Sequence, residues 1–345
     1  MNSKFNPSRV SRLTLSVVEW VKTKNSKLAF VICMLLFSLC GSVEAQIHRI
    51  GYLSASSAEV DKDRFAYFQR GMKELGYVEG KNLAIEQRYA AGQFDAIPQM
   101  LSELTGHKVD VLVVYGESAI LAAKNATSTV PVVMTVHPDP VGDRIVASLA
   151  RPGGNITGLS DLHTVLAPKR LEILKEVVPS ASRIAVFYHA ANSTLLRQLK
   201  DIQDIAPGFH VTVLPIPVKG PDDFDGAFTR MKNERAGALM VLGSPLIGMN
   251  RRQITDLASK NRLPAIYTLK ENADAGGLMS YGTNFQELWR RAATYVDKIL
   301  KGAKPADLPI EQATKFDFVI NLKAAKRIGL TIPPNVLARA DRVIK

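Results

Sequence analysis

Cysteine is nearly missing from this chain. Of 345 residues only Cys33 and Cys40 are cysteines, and both lie ahead of residue 46. If that segment is removed, none remains, which excludes disulfides, a thiol nucleophile and cysteine metal ligands. A cysteine-free product suits an oxidising compartment, where a stray thiol is a liability. Catalytic signatures are lacking as well. The nearest approach to a nucleophile elbow, Gly116-Glu117-Ser118-Ala119-Ile120, has no closing glycine, and no P-loop string occurs. Gly153-Gly154-Asn155-Ile156-Thr157-Gly158 lacks the dinucleotide-binding spacing and reads as a turn at a lobe boundary. The six histidines never fall at HxH or HExxH spacing, so no metal and no cofactor are expected.

Long apolar runs are also scarce. Leu28–Cys40 is the one uninterrupted stretch, short of the ~20 residues that span a bilayer. It follows Lys22, Lys24 and Lys27 and precedes the small-residue step Val43-Glu44-Ala45. This is the pattern of a secretory signal peptide. Cleavage is expected after Ala45, giving a periplasmic or secreted product. An uncleaved anchor, or a lipoprotein acylated at Cys40, is the alternative. The formal charge is +12, and Met1–Ala45 supplies six basic residues against two acidic ones, so +8 remains without it. The remaining basic residues are scattered and form no block interleaved with aromatics, so no nucleic acid is expected.

What is present beyond residue 46 is a regular alternation of two periodicities. Short apolar runs bounded by Gly, Pro or Asp predict buried parallel strands at Arg49–Ser54, Leu83–Tyr89, Val109–Tyr115, Val130–Val136, Arg183–Tyr188, Val211–Val218, Ala238–Leu242 and Ala265–Leu269. Amphipathic segments between them predict helices at Arg64–Leu75, Phe94–Thr105, Ser118–Ala126, Lys169–Val178, Thr194–Ile205, Asp223–Lys232, Arg251–Lys260 and Phe285–Leu300. The fold class is therefore α/β, with two doubly wound parallel-sheet lobes joined by a multi-crossing hinge. The expected domains are 1–45 as signal peptide, 46–160 plus about 283–310 as lobe 1, and 161–282 plus about 311–345 as lobe 2 with the hinge crossings.

Ligands of open α/β sheets bind beyond the carboxyl ends of the strands, so the candidate site residues lie in those loops. Ser54, Ser56 and Ser57, in the string SASS, suit a ligand carboxylate or simply a turn and helix cap. Tyr115 can wall in a ligand, Gly116 permits close approach and Ser118 can cap the next helix. Glu117 either meets the ligand or only complements the helix dipole, and its charge disfavours a ligand carboxylate beside it. His137 and Asp139 follow the fourth strand. Asp139 is suited to a ligand ammonium or to an N-cap with Pro140 at the first helical position. The second lobe offers Asn192, Ser193, Ser244, Pro245, Tyr267 and Tyr281.

Several strings resemble those of a known family. Asp139-Pro140-Val141, Ser148 to Gly158 (SLARPGGNITG), Lys169-Arg170-Leu171-Glu172, Gly276 to Gly282 (GGLMSYG), Tyr295 to Gly302 (YVDKILKG) and Asn321 to Lys326 (NLKAAK) resemble the bacterial ABC-transporter substrate-binding family that includes tryptophan/tyrosine binders. The resemblance spans essentially the whole chain after the leader. It implies a type I periplasmic-binding-protein fold with three hinge crossings. It also implies a monomeric, non-enzymatic, extracytoplasmic binder that captures an amino acid or aromatic amino-acid-like solute by hinge closure and passes it to a membrane permease. Other roles on such a scaffold are an extracytoplasmic ligand sensor, a cytoplasmic ligand-sensing regulator and a secreted enzyme. The leader argues against the regulator, and the missing nucleophile and metal motifs argue against the enzyme.

Overall fold

The computed structural model describes residues 47–162 and 165–345. The expected leader, its cleavage after Ala45, Gln46 and both cysteines lie outside the described residues, as does His163. Residues 47–345 form one compact unit.

Two sheets organise it. The first holds β1 (His48–Ser54), β2 (Leu83–Tyr89), β3 (Val111–Tyr115), β4 (Val132–His137), β5 (Ile156–Ser160) and β11 (Glu311–Gln312). Their order is β11-β5-β4-β3-β1-β2, with every pairing parallel. The second holds β6 (Arg183–His189), β7 (Thr212–Val218), β8 (Ala238–Val241), β9 (Ala265–Tyr267), β10 (Met279–Thr283), β12 (Phe316–Asn321) and β13 (Arg342–Ile344). Their order is β13-β12-β10-β9-β8-β6-β7, and only β10 with β12 is antiparallel. The α/β class with mostly parallel sheets is thus what the sequence implies, and all eight expected strands and all eight expected helices occur, with ends shifted by a few residues.

Helices cover both faces of each sheet, because the strands alternate their apolar side chains between the two sides. On one face of the first sheet Ile50, Tyr52, Val111, Val113 and Tyr115 pack under α1 (Ala58–Glu74) and the long helix Phe285–Leu300. On the other, Leu53, Leu112, Val114 and Met134 pack under α2 (Ile97–Gly106) and α3 (Glu117–Ala126). The second sheet is sandwiched likewise: α4 (Ala167–Val177) and α5 (Ser193–Ile205) lie on one face, and helices Phe224–Asn233 and Arg251–Lys260 on the other. Helix Phe285–Leu300 begins where Asn284 accepts a hydrogen bond from the Glu287 amide at 3.1 Å. It buries Leu288, Trp289, Ala292, Val296 and Ile299 at helical spacing.

One expectation about the secondary structure of a glycine-rich string is overturned. The glycine-rich Gly153–Gly158 string is not all turn, because Ile156–Ser160 is strand β5, buried throughout. Gly158 belongs there because its φ is +137°, and a Cβ would lie 2.1 Å from the Met134 carbonyl oxygen of the neighbouring strand. Glycine marks close backbone approach here, and sequence alone does not distinguish that from a turn.

Among the described residues the backbone passes between the sheets three times: after Asp161, at Asn284, and at Ala313–Lys315. The passages are bonded to one another. Thr283 Oγ1 donates to the Asp161 carbonyl, and the Asn284 amide donates to the Lys315 carbonyl at 3.0 Å. No helix of the described residues is long and apolar enough to cross a membrane.

Candidate ligand site between the sheets

The carboxyl ends of β3 and β4 in the first sheet face those of β6 and β8 in the second. Between them lies a cavity open to solvent on one side. Tyr115, Gly116, Glu117, Val136, His137, Pro138 and Asp161 line it from one side, and Asn192, Leu195, Gln198, Gly243, Ser244 and Pro245 from the other. Leu269 and Phe285 complete the wall.

Helix starts aim several of these groups. Gly116 occupies the N-cap of α3 with φ +96°. Its missing Cβ would stand 2.6 Å from Ala55 Cβ and 3.2 Å from Pro245 Cγ of the opposite lobe, so glycine is what lets the two sides approach. Glu117 is the first residue of that helix. Its Oε1 accepts a hydrogen bond from Ser193 Oγ across the cleft at 2.8 Å, and its Oε2 is buried without a hydrogen-bond partner. Burial raises the Glu117 pKa above the usual carboxylate range. Asn192 caps α5 by accepting from the Leu195 amide at 2.9 Å. Ser244 caps the short helix Pro245–Met249 by accepting from the Ile247 amide at 3.3 Å.

A second set of contacts bridges the sides beside the cavity. Asp143, whose side chain is 5% exposed, accepts from Thr194 Oγ1 at 2.5 Å and from Arg197 Nη2. His137 is fully buried. Its Nδ1 accepts from the Asp139 amide at 3.1 Å, which assigns the ring proton to Nε2, 3.4 Å from Asp143 Oδ2. Burial lowers the His137 pKa below the ordinary histidine value, with Arg197 adding to the effect and Asp143, Asp161 and Asp139 opposing it.

Of the residues proposed from sequence, the fold gathers Tyr115, Gly116, Glu117, His137, Asn192, Ser244 and Pro245 on the cavity wall. Ser193 reaches the same place through Glu117. Ser54 and Ser56 are buried in the loop after β1, where Ser54 Oγ accepts from the Ser56 amide at 3.0 Å. Ser57 caps α1 by accepting from the Val60 amide at 3.4 Å. Ser118 does not cap its helix: Gly116 holds the N-cap position, and Ser118 is exposed one residue into the helix. Asp139 starts no helix either. Its Oδ1 accepts from the Gly142 amide at 2.8 Å and closes a turn, and the left-handed backbone at Arg144, φ +53°, interrupts the chain where a helix would continue. Tyr267 is fully buried in the core of the second sheet. Tyr281 sits in β10 with its ring edge-on to Phe318. Neither tyrosine is on the cavity wall.

Sequence reasoning missed Asp161, Leu195, Gln198, Leu269 and Phe285 on the wall, and Thr194 and Arg197 beside it. Thr194, Arg197 and Gln198 stand at i, i+3 and i+4 of α5, a polar stripe on an otherwise apolar-facing turn. That stripe is the one signal the linear pattern offered.

A sequence profile for ABC transporter substrate binding proteins matches residues 60–344. The chain belongs to this family. It is therefore a substrate-binding protein, a class that holds its ligand without turning it over. A "Tyrosine-binding protein" of Clostridioides difficile (strain R20291) is 25% identical over 263 residues, 76% of this substrate-binding protein and 75% of the relative. The ABC domain from Streptococcus pneumonia, solved in complex with L-Trp, superimposes with a TM-score of 0.80 at 26% identity, covering 87% of this chain and all of that one. A conserved domain protein from Vibrio cholerae superimposes with a TM-score of 0.82 at 27% identity, covering 86% of this chain and all of that one.

Proposed function

We propose that this protein is the extracytoplasmic capture component of an ABC importer. In this reading it takes up a small amino-acid-like solute, of the aromatic kind bound by its relatives, between two lobes that close about the hinge passages. The lobes are 46–161 plus about 284–313, and about 162–283 plus about 314–345, the third bound lying a few residues later than the sequence implies because β11 pairs with β5 of the first sheet. The leader is removed after Ala45, and a membrane permease receives the closed, monomeric form. Tyr115, Glu117, His137, Asn192, Ser244 and Pro245 supply the ligand contacts.

The observation that carries this reading is the cavity walled by strand-end loops of both sheets and bridged by Ser193–Glu117 and Arg197–Asp143. A site whose halves belong to different lobes couples occupancy to the hinge. A solute held there touches both lobes, so its binding and the hinge angle are linked.

The test is a thermal-shift screen against amino acids, aromatic acids, sugars and nucleosides. A ligand at a hundred times its Kd stabilises by ~2.7 kcal/mol. Amino acids are expected to raise the melting temperature, and solution scattering on the same samples to show a ligand-dependent hinge angle. Silence from every amino acid would remove the amino-acid reading, and a hinge indifferent to a bound ligand would remove the closure mechanism.

A further inference from the structure

We propose that Glu117 reads a positively charged nitrogen on the captured solute, and that the solute carries an ammonium head on an apolar or aromatic body. This rests on the interlobe reading of the site.

One carboxylate on the cavity wall, Glu117, has no cation beside it among the described residues. No lysine or arginine is among the described residues on that wall; Asp161, also on the wall, interacts with the fully buried Arg170 guanidinium behind it. His137 does not fill the gap, because burial favours its neutral ring and its Nε2 proton faces Asp143. The nearby cations are engaged elsewhere. Arg197 is held by Asp143 and lies 3.8 Å from Asp139. Arg64 donates to Asp61 at 3.2 Å and lies 5.0 Å from the Tyr115 ring centre, between that ring, Phe285 and Trp289.

Glu117 Oε2 is thus a buried acceptor with no donor. A carboxylate oxygen in that position is costly unless something donates to it. A ligand ammonium supplies both the donor and the opposite charge, whereas a ligand carboxylate would add repulsion. Asp139, the other carboxylate suited to that role by sequence, is spent on its own turn and does not line the cavity. Burial, with Asp143 adding, raises the Glu117 pKa against the opposing hydrogen bonds of Ser193 and Thr194, so an added positive charge would favour the ionised form. Tyr115, Leu195, Leu269 and Phe285 supply walls for an apolar body. Because the same carboxylate holds Ser193 through Oε1, reading the amine and holding the lobes together fall to one side chain.

The test is calorimetry on the unaltered protein with two series: tyrosine, tyramine and 3-(4-hydroxyphenyl)propionate, and tryptophan, tryptamine and indole-3-propionate. At least one series is expected to bind through its amine-bearing members, with the amine-free acid weaker by tenfold or more. Glu117→Gln, which keeps an acceptor for Ser193, is expected to erase that difference while leaving the amine-free acid unchanged or tighter. An amine-free acid that binds as tightly as its amine overturns the proposal, as does amine binding indifferent to Glu117→Gln. So does the failure of all six to bind. The interlobe reading is judged separately by Ser244→Trp, which fills the cavity: binding that survives it overturns that reading, whatever Glu117 does.

Discussion

Ser193 Oγ donates a hydrogen bond to Glu117 Oε1 at 2.8 Å, joining the first turn of a helix on one sheet to the first turn of a helix on the other. These two residues are 76 positions apart in sequence, and the bond joins one sheet's helix to the other's. Removing it with Ser193→Ala removes one ordinary hydrogen bond, worth about 1 kcal/mol. Ligand affinity is expected to fall by about fivefold with the melting temperature of the unliganded protein little changed, since Ser193 is exposed. An affinity equal to that of the unaltered protein would show that this bond does not help hold the closed state.

Asp143 is expected to matter more than the arginine that faces it. The carboxylate is nearly buried and serves Thr194, Arg197 and the Nε2 side of His137, whereas the Arg197 side chain is 41% exposed and can return to water. Asp143→Ala should weaken ligand binding by roughly tenfold or more, through about 2 kcal/mol of lost charge-assisted hydrogen bonding. Arg197→Ala should cost less. Isothermal calorimetry on the two variants checks the order, and the reverse order would place the energetic weight on the exposed side of the pair.

Without ligand, closure should depend on pH through Glu117. Burial holds this carboxyl above the usual range, and parting the lobes hydrates it and returns it toward ~4.3. The closed state therefore binds the proton more tightly than the open state. Closure gains as pH falls through the raised value, and the gain is complete below the ordinary carboxylate value. Scattering across that window should show increasing compactness, and Glu117→Gln should flatten the trend. A radius that ignores pH in the unaltered protein would contradict the assignment.

His137 acts in the opposite sense on folding. Its pKa is lowered by burial, with Arg197 adding and Asp143, Asp161 and Asp139 opposing, so the folded protein holds the neutral ring and the unfolded chain takes up the proton first. Its contribution to stability is intact above the ordinary value of ~6.5. It is lost progressively as pH falls from there through the lowered value. Denaturant midpoints measured from pH 7.5 downward should decline less steeply in His137→Asn than in the unaltered protein. Parallel slopes would assign the acid sensitivity to other groups.

Gly158→Ala is expected to be among the most damaging single-methyl additions. The new carbon would stand 2.1 Å from the Met134 carbonyl oxygen on a backbone with φ +137°, for a cost of about 3 kcal/mol from clash and strain together. Gly154→Ala, with nothing within 4 Å of the added carbon, should change stability by no more than about 0.5 kcal/mol. Equal melting temperatures for the two variants would show that β4 and β5 can part to admit a side chain.

Much of this was legible in the residues. Strands such as Val111–Tyr115 are apolar on both faces, and helices such as Phe285–Leu300 repeat their apolar residues every three to four positions, so local periodicity was enough to locate both. The strand-end rule then directed attention to Tyr115–Glu117, His137, Asn192 and Ser244–Pro245, all of which reach the cavity wall. Tyr267 and Tyr281 were less legible: an aromatic near a strand end serves a core as readily as a pocket, and one position along a strand decides which face it takes.

The sequence by itself determined the α/β alternation and the family, because both are written in local patterns. What it could not determine is which oxygen of Glu117 meets Ser193 and which is left without a donor, or that Asp143 serves Thr194 and Arg197 from 51 and 54 residues away. Those relations depend on how close the two sheets come to each other. That distance is set by Gly116 against Pro245 and by the three backbone passages, and no local periodicity encodes it.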